Sequence, residues 1–336
     1  MVTPTENVGD ENNAYRQLSP DDILNAVEAL GFPCDGRLLA LNSYENRVYQ
    51  IGLDDTSPVV VKFYRPGRWT DDAIREELEF TQQLAELEIP VIEPLKDAAG
   101  EILHRHGPFR LSVYPCRGGR PPDLENPEHL EQMGRFLARI HNLGETRDFE
   151  HRPTLDMDSF GTRSRAFLLD GGFLPADLTE AYSTVSQYLL DGIARRMDEV
   201  DTARHLRLHG DCHPGNILWR DDGPHIVDFD DARMGPAIQD LWMFLSGDRM
   251  QMTVGLSDLL EGYTQFRDFD PRELHLMEAL RTLRMMHYAA WLARRWEDPA
   301  FPLAFPWFNT NRYWEEHILS LKEQMAALDE PALVWN

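Results

Sequence analysis

Three side chains in the stretch LHGDCHPGNILWRDDGPHIVDFDDARMGPAIQDL have the types and spacing to move a phosphoryl group. They are Asp211, Asn216 five residues later, and Asp228 twelve beyond that, just after the apolar pair Ile226-Val227. Such a reaction needs a carboxylate to orient the attacking hydroxyl and take its proton. It also needs an amide and a second carboxylate to hold a divalent cation against the phosphates. Upstream, Lys62 sits inside Val59-Val60-Val61-Lys62-Phe63, where an ammonium is tolerated only if it meets phosphate oxygens or a carboxylate. The acidic helix expected over residues 70–88 supplies that carboxylate, Glu77 first and Glu76 next. Ser43 and Asn46, in the segment Ser43-Tyr44-Glu45-Asn46-Arg47, are the candidates for covering the phosphates, in a loop stiffer than a glycine-rich one.

These residues need a scaffold of two kinds. From residue 38 to 115 the texture is strand-like, with a hairpin expected from Arg47–Gly52 and Pro58–Tyr64 around Leu53–Ser57. Further strands are expected around Glu101-Ile102-Leu103 and over Phe109 to Tyr114, with the helix of residues 70–88 between the two pairs. Ser19-Pro20-Asp21-Asp22 has the form of a helix start, and Gly31 marks the stop. Pro115, Gly118-Gly119 and Pro121-Pro122 break the pattern and mark a boundary. Beyond it, helices are expected from Asn126-Pro127, over Leu178 to Val200, and from Asp270-Pro271 with Glu273; a strand-rich island, His205 to Asp231, carries the phosphoryl-transfer residues. The expected division is a disordered tail over 1–18, a small β-rich lobe over 19–115 holding the phosphate loop, Lys62 and Glu77, and a larger helical lobe over 116–336. The fold class is therefore α+β and two-lobed. The aromatic stretch Trp291 to Phe308 is expected to be core beneath a long helix.

Composition removes several other functions. The 336 residues carry 33 Lys plus Arg against 57 Asp plus Glu, a net charge of −24 that repels nucleic-acid backbones and anionic lipid. Hydrophobic residues at 42% and charged residues at 27% suit a packed protein rather than a disordered one. The 3 cysteines are too few and scattered for a disulfide framework or a zinc cluster and imply a reducing compartment. The polar, acidic start MVTPTENVGDENNA is unlike a signal peptide, and runs such as Leu241–Leu245 are far shorter than a membrane span. A cytoplasmic monomer with no nucleic-acid or membrane partner is expected.

A catalytic Asp and an Asn at a five-residue interval, followed by a metal-binding Asp on a short strand, is also the spacing of the protein-kinase template. HGDxHPGN, the following IVDFDD and the downstream GPxxxDL resemble the aminoglycoside phosphotransferase and choline kinase branch of the protein-kinase-like fold. LNSYENRVYQ, VVKFYRPGRWT, LRLHGDCHPGNILWRD, DDARMGPAIQDLWM and RRWEDPAFP carry the likeness further, to bacterial stress-response Ser/Thr kinases. The resemblance implies ATP and Mg²⁺ as cofactors and protein Ser or Thr hydroxyls as acceptors. It makes Asp211 the proton acceptor, Asn216 and Asp228 the magnesium ligands, Ser43 part of the ATP loop, and Asp240 the brace of the catalytic loop.

Several departures matter. Gly210 stands where conventional protein kinases have arginine, and no Ser, Thr or Tyr lies between Asp228 and Asp240, twelve residues apart. A phosphorylated activation segment has no room there. The residues alone therefore favour a small-molecule acceptor, such as an amino alcohol or antibiotic, and the protein acceptor follows from the resemblance. A catalytically silent nucleotide-binding adaptor is a third reading, disfavoured because the set is complete. Asp230 replaces the glycine of the usual Asp-Phe-Gly, with the second metal or solvent both open to it. His209 and His213 are expected to brace the loop, and Cys212 to be a small buried side chain.

Overall fold

The structure, a computed structural model, describes residues 15–200 and 203–335. Most of the tail expected to be disordered therefore lies outside the described residues. Of Tyr15–Leu18, inside them, Tyr15 and Leu18 are packed on the core while Arg16 and Gln17 are exposed: the Tyr15 ring stacks 6.1 Å from Phe109 and its hydroxyl donates to the Phe63 carbonyl at 3.0 Å. No helix among the described residues is long and apolar enough to cross a membrane.

Residue contacts divide the chain into two units. The first runs to Pro122 and takes in two later pieces, Glu150–Arg152 and Gly215–Asp230. It opens with helix α1 (Pro20–Glu28), started by a reciprocal cap in which Ser19 Oγ accepts the Asp22 N–H and Asp22 Oδ2 accepts the Ser19 N–H. Strands β1 (Cys34–Ala40), β2 (Arg47–Leu53), β3 (Val59–Tyr64), β4 (His104–His106) and β5 (Phe109–Pro115) form an antiparallel sheet in the order β1-β2-β3-β5-β4. β3 is central and almost wholly buried because its run of β-branched and aromatic residues packs on both faces. Helix α2 (Asp71–Glu86) follows β3, with Thr70 Oγ1 accepting the Ala73 N–H as its cap. The strand expected around 101–103 lies further on, at 104–106. The tight Gly107-Pro108 turn sets His106 opposite Phe109, so pairing begins beside the turn, while Ile102 and Leu103 are buried outside the ladder. The hairpin of β7 (Ile217–Arg220) and β8 (Gly223–Ile226) completes the unit, tied to it by the Ile226 N–H on the Pro90 carbonyl at 2.7 Å.

The second unit is larger and mostly helical. It contains α3 (Pro127–Gly144), capped by Asn126, a π-helical turn at Asp158–Thr162, α4 (Arg163–Asp170) and α5 (Thr179–Glu199). Two short strands, β6 (Leu206–Leu208) and β9 (Arg233–Gly235), pair antiparallel. After them come α6 (Ile238–Leu241), α7 (Arg249–Tyr263), α8 (Met277–Arg294), α9 (Ala300–Ala304) and α10 (Asn311–Asp329). The helix expected to open at Asp270-Pro271 is first a 3₁₀ turn, Pro271–Leu276, held out of α-geometry as Glu273 reaches across to accept the Ile238 N–H at 2.8 Å. The aromatic stretch expected to be core is so only in part: Phe301 and Phe308 are buried, Trp291 and Phe305 pack on Phe301 and Trp296 on Phe308 while half-buried, and Trp307 is exposed.

Candidate active site

In the β-rich unit, strand alternation turns Lys62 inward from β3. The ammonium meets three carboxylates: Glu77 at 3.1 Å, Asp228 at 3.2 Å and Asp230 at 3.1 Å. Burial alone would lower its pKa, but Asp230, Glu77 and Asp228 together outweigh that and hold it well above the ordinary lysine value. Lys62 is thus a fixed positive charge. Glu77 is buried on the inner face of α2, while the neighbouring Glu76 accepts the backbone N–H groups of Glu150, His151 and Arg152 at 2.6–3.0 Å. One of the two glutamates serves the lysine and the other fastens a loop.

The hairpin sets the next pair. Ile217 is opposite Ile226, and the Val227 N–H donates to the Asn216 carbonyl at 3.0 Å, so Asn216 and Asp228 emerge from the same open end. Asp228 has φ of 63°, a left-handed conformation that costs a non-glycine residue energy, and half of its side chain is exposed. Its carboxylate and the Asn216 amide are hard oxygen donors of the kind a small divalent cation takes. A cavity of about 330 Å³ within this unit is lined by Ser43, Lys62, Glu77, Tyr114, Asn216 and Asp228, among others. That lies in the range of small-ligand sites.

Asn46 does not join them. It is buried, its side-chain oxygen accepts the Arg65 N–H at 3.1 Å, and it braces the loop from behind; Asn42 lines the cavity instead. Ser43 Oγ closes the turn on the Asn46 carbonyl at 3.3 Å. Asp230, left open between metal and solvent, is buried and pairs with Arg68 as well as Lys62.

The helical unit holds the Asp211 loop. Gly210 has φ of 84°, and a Cβ there would run into the Asp231 carbonyl oxygen; the position where conventional protein kinases have arginine admits only glycine here. Asp240, fully buried, accepts the Gly210 N–H at 2.8 Å and the His209 N–H at 2.9 Å, and also bonds His141 Nε2 at 3.2 Å. Burial pushes its pKa up, but the His141 hydrogen bond and charge and the Gly210 N–H pull it below the usual carboxylate range. His141 in turn bonds the Tyr263 hydroxyl at 2.9 Å. His209 Nδ1 accepts the Asp211 N–H at 3.3 Å, and His213 lies 3.7 Å from the Asp211 carboxylate. Cys212 is fully buried, and burial with Asp240 and Asp211 nearby raises its thiol pKa well above normal. The Asp211 carboxylate itself accepts from Arg284 on α8 at 2.5 Å.

Four partners were not foreseen: Arg68 on Asp230, Arg152 beside Glu77 at 3.6 Å, His141 on Asp240, and Arg284 on Asp211. Nothing near them in sequence marks them.

The family model described as Phosphotransferase enzyme family (APH) matches residues 37–277. Over 319 residues the chain is 44% identical to Stress response kinase A of Escherichia coli (strain K12), covering 95% of this chain and 96% of that protein. The chain belongs to the APH phosphotransferase family, in its stress response kinase A group. A second relative in this group, named Serine/threonine protein kinase RdoA, from Salmonella typhimurium (strain LT2), is 42% identical over 326 residues, covering 97% of this chain and 98% of that protein. Among solved structures, an amicoumacin kinase in complex with AMP-PNP and Ca²⁺ aligns with a TM-score of 0.70 at 18% identity, covering 94% of this chain and 95% of that chain. That likeness speaks for the fold: the β-rich unit and the larger helical unit have the α+β architecture of kinase-like phosphotransferases. The chain is accordingly a phosphotransferase of the APH family, and its candidate residues can be read in that chemistry.

Proposed function

We propose that the chain is an ATP- and Mg²⁺-dependent Ser/Thr protein kinase acting as a cytoplasmic monomer. The observation that carries this is the Lys62 ammonium, clasped by Glu77 and Asp228 in the wall of a cavity of about 330 Å³. In this reading the adenine lies against the backbone near Val113–Cys116, and Lys62, positioned by Glu77, neutralises the α- and β-phosphates. Ser43 belongs to the loop over the phosphates. Asn216 and Asp228 would hold the Mg²⁺, which when bound supplies positive charge to the phosphate oxygens. Asp211 orients a Ser or Thr hydroxyl and takes its proton as the oxygen bonds the γ-phosphorus and the bond to ADP breaks. Asp240 and His141 position the Asp211 loop.

The protein acceptor is supported by the names of relatives at 42–44% identity over nearly the whole chain. One observation favours a small-molecule acceptor of the aminoglycoside, choline or homoserine kinase type. Between Asp228 and Asp240 the chain is taken up by a 3₁₀ turn, β9 and the start of α6, which leaves no platform of the usual kind for an extended peptide. A silent nucleotide-binding adaptor ranks third, since Lys62, Asp211, Asn216 and Asp228 are all present.

Incubating the purified protein with Mg²⁺ and γ-labelled ATP, with casein or with a panel of amino alcohols, separates these. Label on Ser or Thr of protein is the expected result. Transfer to an amino alcohol with none to protein would overturn the acceptor, and nucleotide binding without any transfer would point to the adaptor.

A further inference from the structure

Helix α8 of the helical unit carries a stripe of cations and rings of which only Arg284, on Asp211, belongs to the site described above. Arg284, His287, Trp291 and Arg294 recur at three- and four-residue intervals and so share one face. All four are partly exposed, whereas Leu283, Met286, Ala290 and Ala293 are buried. The stripe begins at Asp211, which accepts from Arg284 at 2.5 Å. In its middle, the His287 ring stacks on Phe160 with centroids 4.2 Å apart, and the Arg233 guanidinium covers Phe160 at 4.8 Å. At its far end, Arg294 lies 5.0 Å from the Phe167 ring. The helical rise places Arg294 about 15 Å from Arg284 along the axis.

The π-helical turn Asp158–Thr162 supplies the neighbouring wall. A Cβ on Gly161 would collide with the side chains of Leu190 and Leu283, so glycine lets the turn press onto α8 and bring Phe160 and Arg163 to the stripe. The charge there is unusual for a chain of net −24. Arg163 pairs with the exposed Asp158 at 2.9 Å, but Arg294 has no carboxylate at ion-pair distance among the described residues. Burial, then Arg295 and Arg163, lower its pKa. Arg294 is thus half-buried beside two further arginines, of which Arg163 is paired with Asp158, and a bound anion would supply it with a counter-charge.

We propose that this stripe docks the acceptor protein and selects acidic segments beside the phosphorylated Ser or Thr. The inference rests on the protein-kinase reading and narrows its substrate class. An extended chain advances about 3.3 Å per residue, so Asp or Glu about four or five residues from the acceptor hydroxyl reaches Arg294 and Arg163. His287 and Trp291 offer ring faces to the side chains between. Cationic amino sugars and amino alcohols would meet like charge along the same stripe.

The test reverses two charges outside the catalytic loop, Arg163→Glu with Arg294→Glu. Binding of a fluorescein-labelled Glu-rich Ser peptide is followed by anisotropy at low and physiological salt. Transfer to dephosphorylated casein, which is acidic, and to basic histone is measured beside it. The acidic peptide is expected to bind the unmodified protein, more weakly as salt rises, and about tenfold or more weakly in the variant. Casein is expected to be preferred over histone, with the variant raising KM while kcat holds. Failure of the acidic peptide to bind, equal binding by both proteins, or a preference for histone would overturn the docking surface. If the double variant does not fold, Arg294→Gln is read in the same way, with a smaller loss expected. Labelled casein with unchanged KM would sink this surface alone; transfer only to an amino alcohol would sink the protein-kinase reading and this docking role with it.

Discussion

Lys62 shares one ammonium among three carboxylates, and the surplus negative charge is offset by Arg68 on Asp230 and Arg152 beside Glu77. Breaking a buried member of such a set leaves an uncompensated charge, at a cost of about 3 kcal/mol. Asp230→Asn should therefore lower stability by that order in urea denaturation, and Arg68→Met added to it should recover part of the loss; strictly additive losses would show that the two are uncoupled. Lys62→Met should reduce kcat/KM for ATP by at least about 100-fold, and a variant with near-normal kcat/KM would remove Lys62 from the phosphate site. That Lys62, Glu77, Asn216 and Asp228 gather around one cavity was legible, because residue type and short-range spacing mark them. The place of Asn46 behind the loop was not legible, because nothing nearby says that the Arg65 N–H, 19 residues on, takes its side-chain oxygen. Arg284 and Arg68 were illegible for the same reason, being 73 and 162 residues from the carboxylates they serve.

The elements that carry these residues were readable where a cap or a turn writes a boundary. Ser19-Pro20 and Asn126-Pro127 start helices as expected, and Asp248 with Gln251 forms a further reciprocal cap at α7. Strand edges and the 3₁₀ turn at Pro271–Leu276 were not readable, because distant partners decide them. Glu273, in that turn, holds the N-terminus of α6, the short helix that carries Asp240. Burial raises its carboxyl from the ordinary 4.5 to about 7. The folded protein thus keeps a proton that the unfolded chain releases above about pH 4.5, and stability falls as pH rises from there to about 7, by about 3 kcal/mol. Glu273→Gln should flatten that decline and stabilise the protein at pH 8, as read from melting curves across pH 4–8; an unchanged pH dependence would show that Glu273 is ionised in the fold.

For the whole molecule, the family and its phosphoryl-transfer chemistry follow from local motifs spread along the chain, whereas the acceptor does not. Acceptor choice depends on surfaces such as the α8 stripe, assembled from residues far from the motifs and carrying no signature of their own. Regulation is more legible. With no Ser, Thr or Tyr between Asp228 and Asp240, activity should not depend on phosphate there. Phosphatase treatment should leave kcat unchanged, and an activating phosphosite mapped to residues 229–239 would contradict this. The central claim, transfer from ATP with Asp211 as proton acceptor, is tested most directly by comparing Asp211→Ala with the unmodified protein for ATP affinity by calorimetry and for transfer of γ-labelled phosphate. The expected result is ATP affinity within about threefold and transfer reduced about 1,000-fold or more. Transfer that survives, or affinity lost in step with it, would contradict the assignment.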